Sequence, residues 1–474
     1  MTDDSRLLSQ FLRMMSSVTV AARRLLHGID PEIWRRLGAQ FANWSQWADR
    51  GIVLGAAAVT GAAVVVFSLL AEWAIHAFRL VGAWCTHGDL FTLVWTPTIT
   101  MALVWWTRRY VPGAAGSGIP QVVRALEGDL QVHQQKWLIS LRLSLHKVFL
   151  VSGGLLAGLS IGREGPTVQV GAGIMSAARK WLSPRSDIDA HDLMVAGAAA
   201  GIAAAFNTPL GGIVFALEQL TRRRHISHTA LVISAIVVSG LVSVSVFGNE
   251  TYFGKLRVQG VSYDIIAPGL LIALVSGLTG GLFSRLIVVS VRGLPDRFSN
   301  WRQQAPLRFA GACGLAVAAI GLVTDGATAG AGYLTTRALL EGSSELPGIY
   351  TPLKFCATWI SAWSGVPAGV FAPSLAIGAG IGHDIAQWLK VAPDESIPLI
   401  AMGMVSFLAA TTGGPITAFI IVMEMVAGHA MVLTLMASAL IASGVARVVA
   451  RPMYQELSVL LPIPAPAPES GIRK

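Results

Sequence analysis

Seven stretches of this sequence, at 51–78, 91–107, 137–161, 228–247, 265–290, 307–324 and 350–363, are read as apolar runs that cross a membrane, a crossing taking roughly 20 helical residues. Two more tracts, 193–220 and 397–450, are equally apolar but are broken internally by Pro and Gly. Their helices must stop partway. Within a bilayer no water reaches an unpaired backbone group, so a broken helix persists only where protein covers it or where it lines a cavity, the arrangement of transport sites. Composition agrees: 53% of the 474 residues are apolar and only 13% charged, about half the charged share of a soluble domain. Disorder, a collagen-like repeat, a coiled coil and a secreted disulfide scaffold are excluded, the last because Cys85, Cys313 and Cys356 are scattered without a CxxC pair. An all-α polytopic membrane protein remains.

The net charge of +9 does not indicate nucleic acid as a partner, because the basic residues follow apolar runs instead of forming one stripe. Arg108-Arg109, Arg179-Lys180 and Arg222-Arg223-Arg224 mark cytoplasmic ends by the positive-inside rule. The first residues, Thr2-Asp3-Asp4-Ser5-Arg6, lack the features of a secretory signal. The expected location is the cell inner membrane or plasma membrane, multi-pass, with both termini cytoplasmic. Residues 1–50 carry Leu7, Leu8, Phe11, Leu12 and Met15 at helical spacing among arginines, as an amphipathic cytoplasmic segment would. A transmembrane domain is expected over 51–455 and a Pro/Ala-rich cytoplasmic tail over 456–474.

The transmembrane part repeats. Ala203-Ala204, Pro209-Leu210 and Glu218 recur as Ala409-Ala410, Pro415-Ile416 and Glu424, each 206 residues on, while Glu164-Gly165-Pro166 matches Phe371-Ala372-Pro373 at 207. Two structural halves are implied, about 51–250 and 251–455. An inverted pair is the usual solution for a transporter, although the residues themselves do not display inversion.

Three motifs share one design of small residues, then Pro, then an apolar helix: Gly116-Ser117-Gly118-Ile119-Pro120, Gly162-Arg163-Glu164-Gly165-Pro166 and Gly369-Val370-Phe371-Ala372-Pro373. Proline in the first helical turn costs no hydrogen bond, since that amide has no partner anyway. Each motif therefore reads as a helix start inside apolar sequence, where free amides and the positive end of the helix dipole attract an anion. A single Gly/Pro break is commonly a kink; three with polar residues attached point to a site. Glu164 is a carboxylate in apolar sequence and functional by default, the alternative being an ion pair with Arg163. Two residues before Pro166, it can occupy the same positive helix end as an anion, so protonation would release the site and act as a gate.

These motifs, with Tyr454 near the C-terminal end, resemble the signature sequences of the CLC family of chloride channels and chloride/proton exchangers, in order from about residue 110 to 458. The resemblance implies two inverted halves of tilted and broken helices, and a homodimer in the lipid bilayer with one pore per subunit. It carries chloride and protons as the transported partners, with no cofactor and no metal. It puts Ser117 on the family's central-site serine, Glu164 on its gating glutamate, Tyr454 on its inner-gate tyrosine, and the amides of Val370 and Phe371 on its chloride-binding backbone. The anion-contacting set expected here is Ser117, Gly118, Arg163, Gly165, Val370, Phe371 and Tyr454. Serine at 117 goes with chloride in the family, proline with nitrate.

One departure bears on mechanism. Exchangers of the family often carry two adjacent glutamates after the equivalent of Pro209, the second serving as internal proton relay. Here the pair is Glu218-Gln219, and Gln cannot titrate near neutral pH. Glu218 is a candidate substitute, though adjacent helical positions point about 100° apart, and water along that path is a second route for protons. Chloride/proton exchange with weakened coupling is expected, a passive chloride channel being the alternative. A remote alternative is an intramembrane serine hydrolase, because Gly158-Leu159-Ser160-Ile161-Gly162 fits GxSxG, but no strand precedes it and no base is evident. His225 and His228 have no Cys or carboxylate near them in sequence, so no metal site is expected. The GxxxG pairs Gly51/Gly55 and Gly154/Gly158 suggest close helix packing.

Overall fold

The computed structural model describes residues 44–84, 88–222, 224–248, 251–254, 263–342 and 346–465. Most of the expected amphipathic segment 1–50, Arg223 and the end of the tail lie outside them. A small unit contains 44–52 and Trp181–Ser186, where the Asp49 carboxylate accepts from the Ser183 amide at 2.8 Å. The large unit, Val53–Lys180 with Asp187–Lys474, carries the rest.

The first half runs through α1 (Trp44–Trp84), α2 (Gly88–Tyr110), α3 (Ile119–Leu126), α4 (Val132–Leu138), α5 (Leu141–Leu156), α6 (Glu164–Ala178), α7 (Ala190–Phe206), α8 (Pro209–Phe215) and α9 (Thr229–Phe247). The second half runs through α10 (Ile266–Arg292), α11 (Arg297–Gln304), α12 (Pro306–Val323), α13 (Tyr333–Leu340), α14 (Tyr350–Trp363), α15 (Phe371–Trp388), α16 (Pro393–Thr412), α17 (Pro415–Met425), α18 (Val432–Val449) and α19 (Met453–Val459). Among the described residues eight segments are long and apolar enough to cross a membrane. The stretch 350–363 is not among them: α14 has 14 residues, about 21 Å at 1.5 Å per residue, short of a bilayer core of about 30 Å. The stretch 137–161 is among them as Val132–Leu156, with Ser140 between α4 and α5 as the N-cap that accepts from the Leu143 amide.

The two Pro/Gly-broken tracts do contain stopped helices. In the first, Asn207 adopts a left-handed φ of 57° and closes α7 before Pro209 opens α8. In the second, Gly413 at φ 69° closes α16 before Pro415 opens α17. α7 and α16 are buried almost all round, packed against α6 and α15 respectively. The crossings are glycine contacts: a Cβ at Gly171 would strike the Gly197 carbonyl and one at Gly197 the Gly171 carbonyl, and Gly378 and Gly403 repeat this relation in the second half. Gly51 and Gly55, singled out by spacing, have nothing within 4 Å, while Gly158 lies under the Phe78 ring.

The halves meet through residues that are each other's counterparts. Gly162 and Gly369 form an antiparallel bridge, exchanging N–H···O bonds of 2.7 and 3.0 Å. α8 and α17 pack together, and each is capped by the carboxylate that follows or ends the other. Glu424 accepts from the amides of Leu210 and Gly211 at 3.2 and 2.7 Å, and Glu218 accepts from Ile416 and Thr417 at 3.1 and 2.7 Å. A contact in which i meets j and j meets i implies a two-fold relation. Because each carboxylate sits at the far end of its helix, the two equivalent helices run antiparallel, as inverted repeats require.

Two buried lysines follow the same symmetry. Lys147 Nζ donates to the carbonyls of Ala114 and Gly116 at 2.6 and 2.7 Å, and Lys354 Nζ to those of Thr328 and Gly330 at 2.8 and 2.7 Å. Each binds the loop that leads into a short helix, α3 or α13, whose N-cap is a positive-φ glycine, Gly118 or Gly332.

Gly171→Val and Gly378→Val are each expected to lower stability by about 1–3 kcal/mol through overpacking, measured as earlier thermal loss of the monodisperse gel-filtration peak in detergent. Gly55→Ala should melt with the wild type. Equal melting of all three variants would contradict the close crossings.

Candidate functional site

The three motif loops are bound to one another by main-chain bonds. Ala368 donates to the Gly116 carbonyl at 3.1 Å, and the Gly162–Gly369 bridge joins the loops that open α6 and α15. The loop before α3 presses on the first turn of α6: a Cβ at Gly165 would collide with Ser117 Oγ, and one at Gly118 would come within 2.8 Å of the Gly165 carbonyl. Only glycine permits this approach, and Gly118 additionally holds φ 107°. Three helix starts thus converge in the apolar interior, one of them supplied by the second half of the chain.

Glu164 is the first residue of α6 and is fully buried. Its carboxylate folds back over Gly162 toward the start of α15, so that a Cβ at Gly162 would meet Oε2 and approach Pro373 and Ala372. The backbone amides of Glu164, Ala372 and Arg163 point at the carboxylate as long hydrogen-bond donors. None of them closes to a full hydrogen bond, so among the described residues both carboxylate oxygens stay only loosely held. A loosely held buried carboxylate is costly; here it faces the positive ends of α6 and α15.

Two hydroxyls share this condition. Ser117 Oγ and Tyr454 Oη are buried and face each other as a long hydroxyl pair, and neither closes to a full hydrogen bond among the described residues. Tyr454 arrives on α19, which packs on α3. A polar cluster lined by two hydroxyls, a carboxylate and first-turn amides holds donors in surplus, which suits an anion.

The remaining expected contacts divide. Val370 is the N-cap of α15 and Phe371 its first residue, both buried, with amides that have no partner further back in the helix. The Gly118 amide is already taken by Gln121 Oε1 at 3.0 Å, which removes it from the free donors. Arg163 is directed away from Glu164: Nη1 donates to the Ser68 carbonyl at 2.7 Å, and Nη1 and Nη2 both to Glu72 Oε1 at 3.1 Å. The Arg163–Glu164 ion pair held open by the sequence is absent among the described residues, and Glu72 is the partner instead.

Glu164 lines a cavity of about 740 Å³ together with Glu72, Arg79, Arg163, Tyr252 and Tyr333. Tyr252 and Tyr333 belong to an aromatic chain, Phe371–Phe206–Tyr252–Tyr333, with ring centroids 5.2, 5.7 and 4.9 Å apart. A second cavity, about 410 Å³, is lined by Gln219, Arg222, Arg224 and Arg451. Gln219 sits in a single π-helical turn, Ala216–Leu220, that follows α8. This turn separates the adjacent pair. Glu218 is committed to the α17 amides, while Gln219 is buried at the second cavity with Nε2 unpartnered.

Sequence reasoning missed Glu72, Tyr252, Lys147 and Lys354. All but Tyr252 had a signal, a charged residue in an apolar run; what had none is the pairing of Glu72 with Arg163, 91 residues away. Ser160 is fully buried, its Oγ 2.8 Å from Thr358 Oγ1 and its amide bonded to Ser361 Oγ, with no histidine at the hydroxyl. His228, expected to lack carboxylates, has Asp192 at 3.2 Å and Asp187 at 3.5 Å, brought in by folding. No group of three metal-ligating side chains forms among the described residues.

Residues 99–447 match the family model described as voltage gated chloride channel. The chain is 31% identical over 425 residues to the H(+)/Cl(-) exchange transporter ClcA of Cronobacter sakazakii, covering 84% of this chain and 86% of that protein. It is 30% identical over 361 residues to the H(+)/Cl(-) exchange transporter ClcA of Vibrio parahaemolyticus, covering 74% and 75%. Its fold resembles the crystal structure of a slow cyanobacterial Cl-/H+ antiporter with a TM-score of 0.73 at 22% identity, over 88% of this chain and 97% of that one.

Ser117→Ala and Tyr454→Phe each delete one of these hydroxyls. A hydrogen bond to a charged group contributes about 1.5–3 kcal/mol, so each variant is expected to weaken halide binding roughly ten- to hundredfold by isothermal calorimetry. Wild-type affinity in both would remove the hydroxyls from the site.

Proposed function

The chain belongs to the voltage-gated chloride channel family, the CLC proteins, and from that premise we propose that it exchanges chloride for protons across a membrane, with Glu164 as the gate. The observation that carries this reading is the fully buried Glu164 carboxylate, loosely held by the helix-start amides that point at it. As an anion the carboxylate competes with chloride for the positive ends of α6 and α15. Once protonated it loses that attraction, and chloride takes its place against Ser117, Tyr454 and the amides of Val370 and Phe371. Amide and hydroxyl donors hold the ion without a fixed cation, an attraction moderate enough to permit release. The same carboxylate that yields to chloride accepts the proton, and this alternation couples the two ions.

The cavity at Gln219 is assigned to the cytoplasm, since Arg222, Arg224 and Arg451 line it and basic residues concentrate there. The Glu164 cavity then opens to the opposite side, and both termini are cytoplasmic. Membrane insertion is expected in the inner or plasma membrane, and the working unit is a homodimer with one pathway per subunit. No cofactor takes part.

Gln219 limits the coupling. A proton crossing from the cytoplasmic cavity to Glu164 needs a titratable station to lower its barrier, and Gln219 supplies hydrogen bonds without titrating. Glu218 does not fill the gap, because its two carboxylate oxygens cap α17. Loss of coupling altogether would make the protein a passive chloride channel, the second reading that Gln219 favours.

Simultaneous chloride and proton flux from reconstituted vesicles tests the proposal. Flux should rise as pH falls, and Glu164→Gln or Glu164→Ala should remove both the pH dependence and proton movement. A folded Glu164 variant that keeps both would sink the gate. Gln219→Glu should raise the number of protons moved per chloride; if it does not, the barrier lies elsewhere. Ser117→Pro should shift preference toward nitrate, read as the ratio of nitrate to chloride flux.

A further inference from the structure

Arg163 and Glu164 are adjacent, nearly or fully buried, and oppositely charged. In a weakly polarisable interior such neighbours gain strongly by pairing, and a carboxylate clamped by a guanidinium would make a poor gate. They do not pair here. The Arg163 guanidinium instead enters a cradle on α1, where Ser68 offers its carbonyl and Glu72, four residues later on the same face, offers Oε1 to both terminal nitrogens. The two ends of this ion pair differ in environment: the Arg163 side chain is 10% exposed and that of Glu72 59%. Glu72 therefore stands in the Glu164-side cavity while fixing a cation in the protein interior.

We propose that Glu72 is a positioning residue for the gate: it holds the Arg163 charge against α1 and so keeps the Glu164 carboxylate free to exchange with an anion and a proton. The inference rests on the gating role of Glu164 and deepens it. The charged and titratable groups that face Arg163 are Glu72, Glu164 and Tyr252. Those that face Glu164 are Arg163 on its own turn, Tyr252 from the segment before α10 and Tyr454 from α19. His76, Arg79, Tyr333 and Arg337 line the same cavity. With Glu72 neutralised, Arg163 loses its only ion-pair partner among the described residues. A buried guanidinium without a counter-charge is strongly disfavoured, and the adjacent carboxylate is that of Glu164.

Glu72→Gln is expected to lower chloride flux at neutral pH about tenfold and to move the pH of half-maximal flux down by at least about one unit, because a carboxylate paired to Arg163 gives up its proton more readily. Glu72→Asp should move the midpoint less, and Glu72→Gln/Arg163→Gln should return it toward wild type. A purely structural role for Glu72 would reduce flux without moving the midpoint, and an unmoved midpoint in Glu72→Gln overturns the proposal. The Glu164→Ala background separates the two readings: pH-independent flux with and without Glu72→Gln supports both. Glu164→Ala flux that remains pH-dependent instead refutes the gate itself.

Discussion

The structure depends on where the unpaired amides of broken helices go. Every helix start leaves N–H groups without a helical partner, and in a membrane interior each must be satisfied by the protein or by something it binds. Five of the helix starts described above, those of α3, α6, α8, α15 and α17, are treated in two ways. At α8 and α17 the amides are closed permanently by Glu424 and Glu218, each reaching across from the opposite half. At α3, α6 and α15 the polar atoms stay within reach of Ser117, Glu164 and Tyr454, whose side-chain oxygens complete no full hydrogen bond among the described residues. The same chemical group, a carboxylate at a helix start, is firmly bonded in one place and loosely held in the other. The difference is bonding: the capping carboxylates each receive two close amides, whereas the amides pointing at Glu164 stay long.

This contrast also accounts for the adjacent residues Glu218 and Gln219. An uninterrupted α-helix would separate them by about 100° and nothing more. The π-helical turn over Ala216–Leu220 places the Glu218 carboxylate on α17 and the Gln219 amide at the arginine-lined cavity. Gly414 makes this possible, since a Cβ there would meet both side chains. π-turns of this kind often occur at functional positions, and here the turn gives the neighbours different surroundings, α17 for Glu218 and the second cavity for Gln219.

Much of the architecture was legible in the residues. Glycine followed by proline in the midst of apolar sequence marked the helix starts, and the offset of 206 to 207 residues found the two halves, because both are local chemistry repeated at a distance. Pairings between distant positions were not legible. Nothing near Arg163 in sequence announces Glu72, and nothing near Glu218 announces the amides of Ile416 and Thr417. Apolar length alone also misled at 350–363, where α14 stops short of a full crossing. The Gly118 amide, expected to contact the anion, is occupied by the side chain of Gln121 three residues on, a bond that the motif residues alone do not show.

The Gly162–Gly369 bridge and the reciprocal carboxylate caps have a consequence for biogenesis. Neither half can complete its own interior, since the site elements are joined to segments synthesised some two hundred residues later, and Tyr454 emerges more than three hundred residues after Ser117. At 5–20 residues per second that interval is on the order of half a minute. For that time the first half sits in the membrane with the amides of α8 uncapped and the loop of α6 unpaired. A nascent chain in this condition must be shielded by the insertion machinery or by its own transient bonds, and truncation anywhere before α17 leaves it a substrate for quality-control proteolysis.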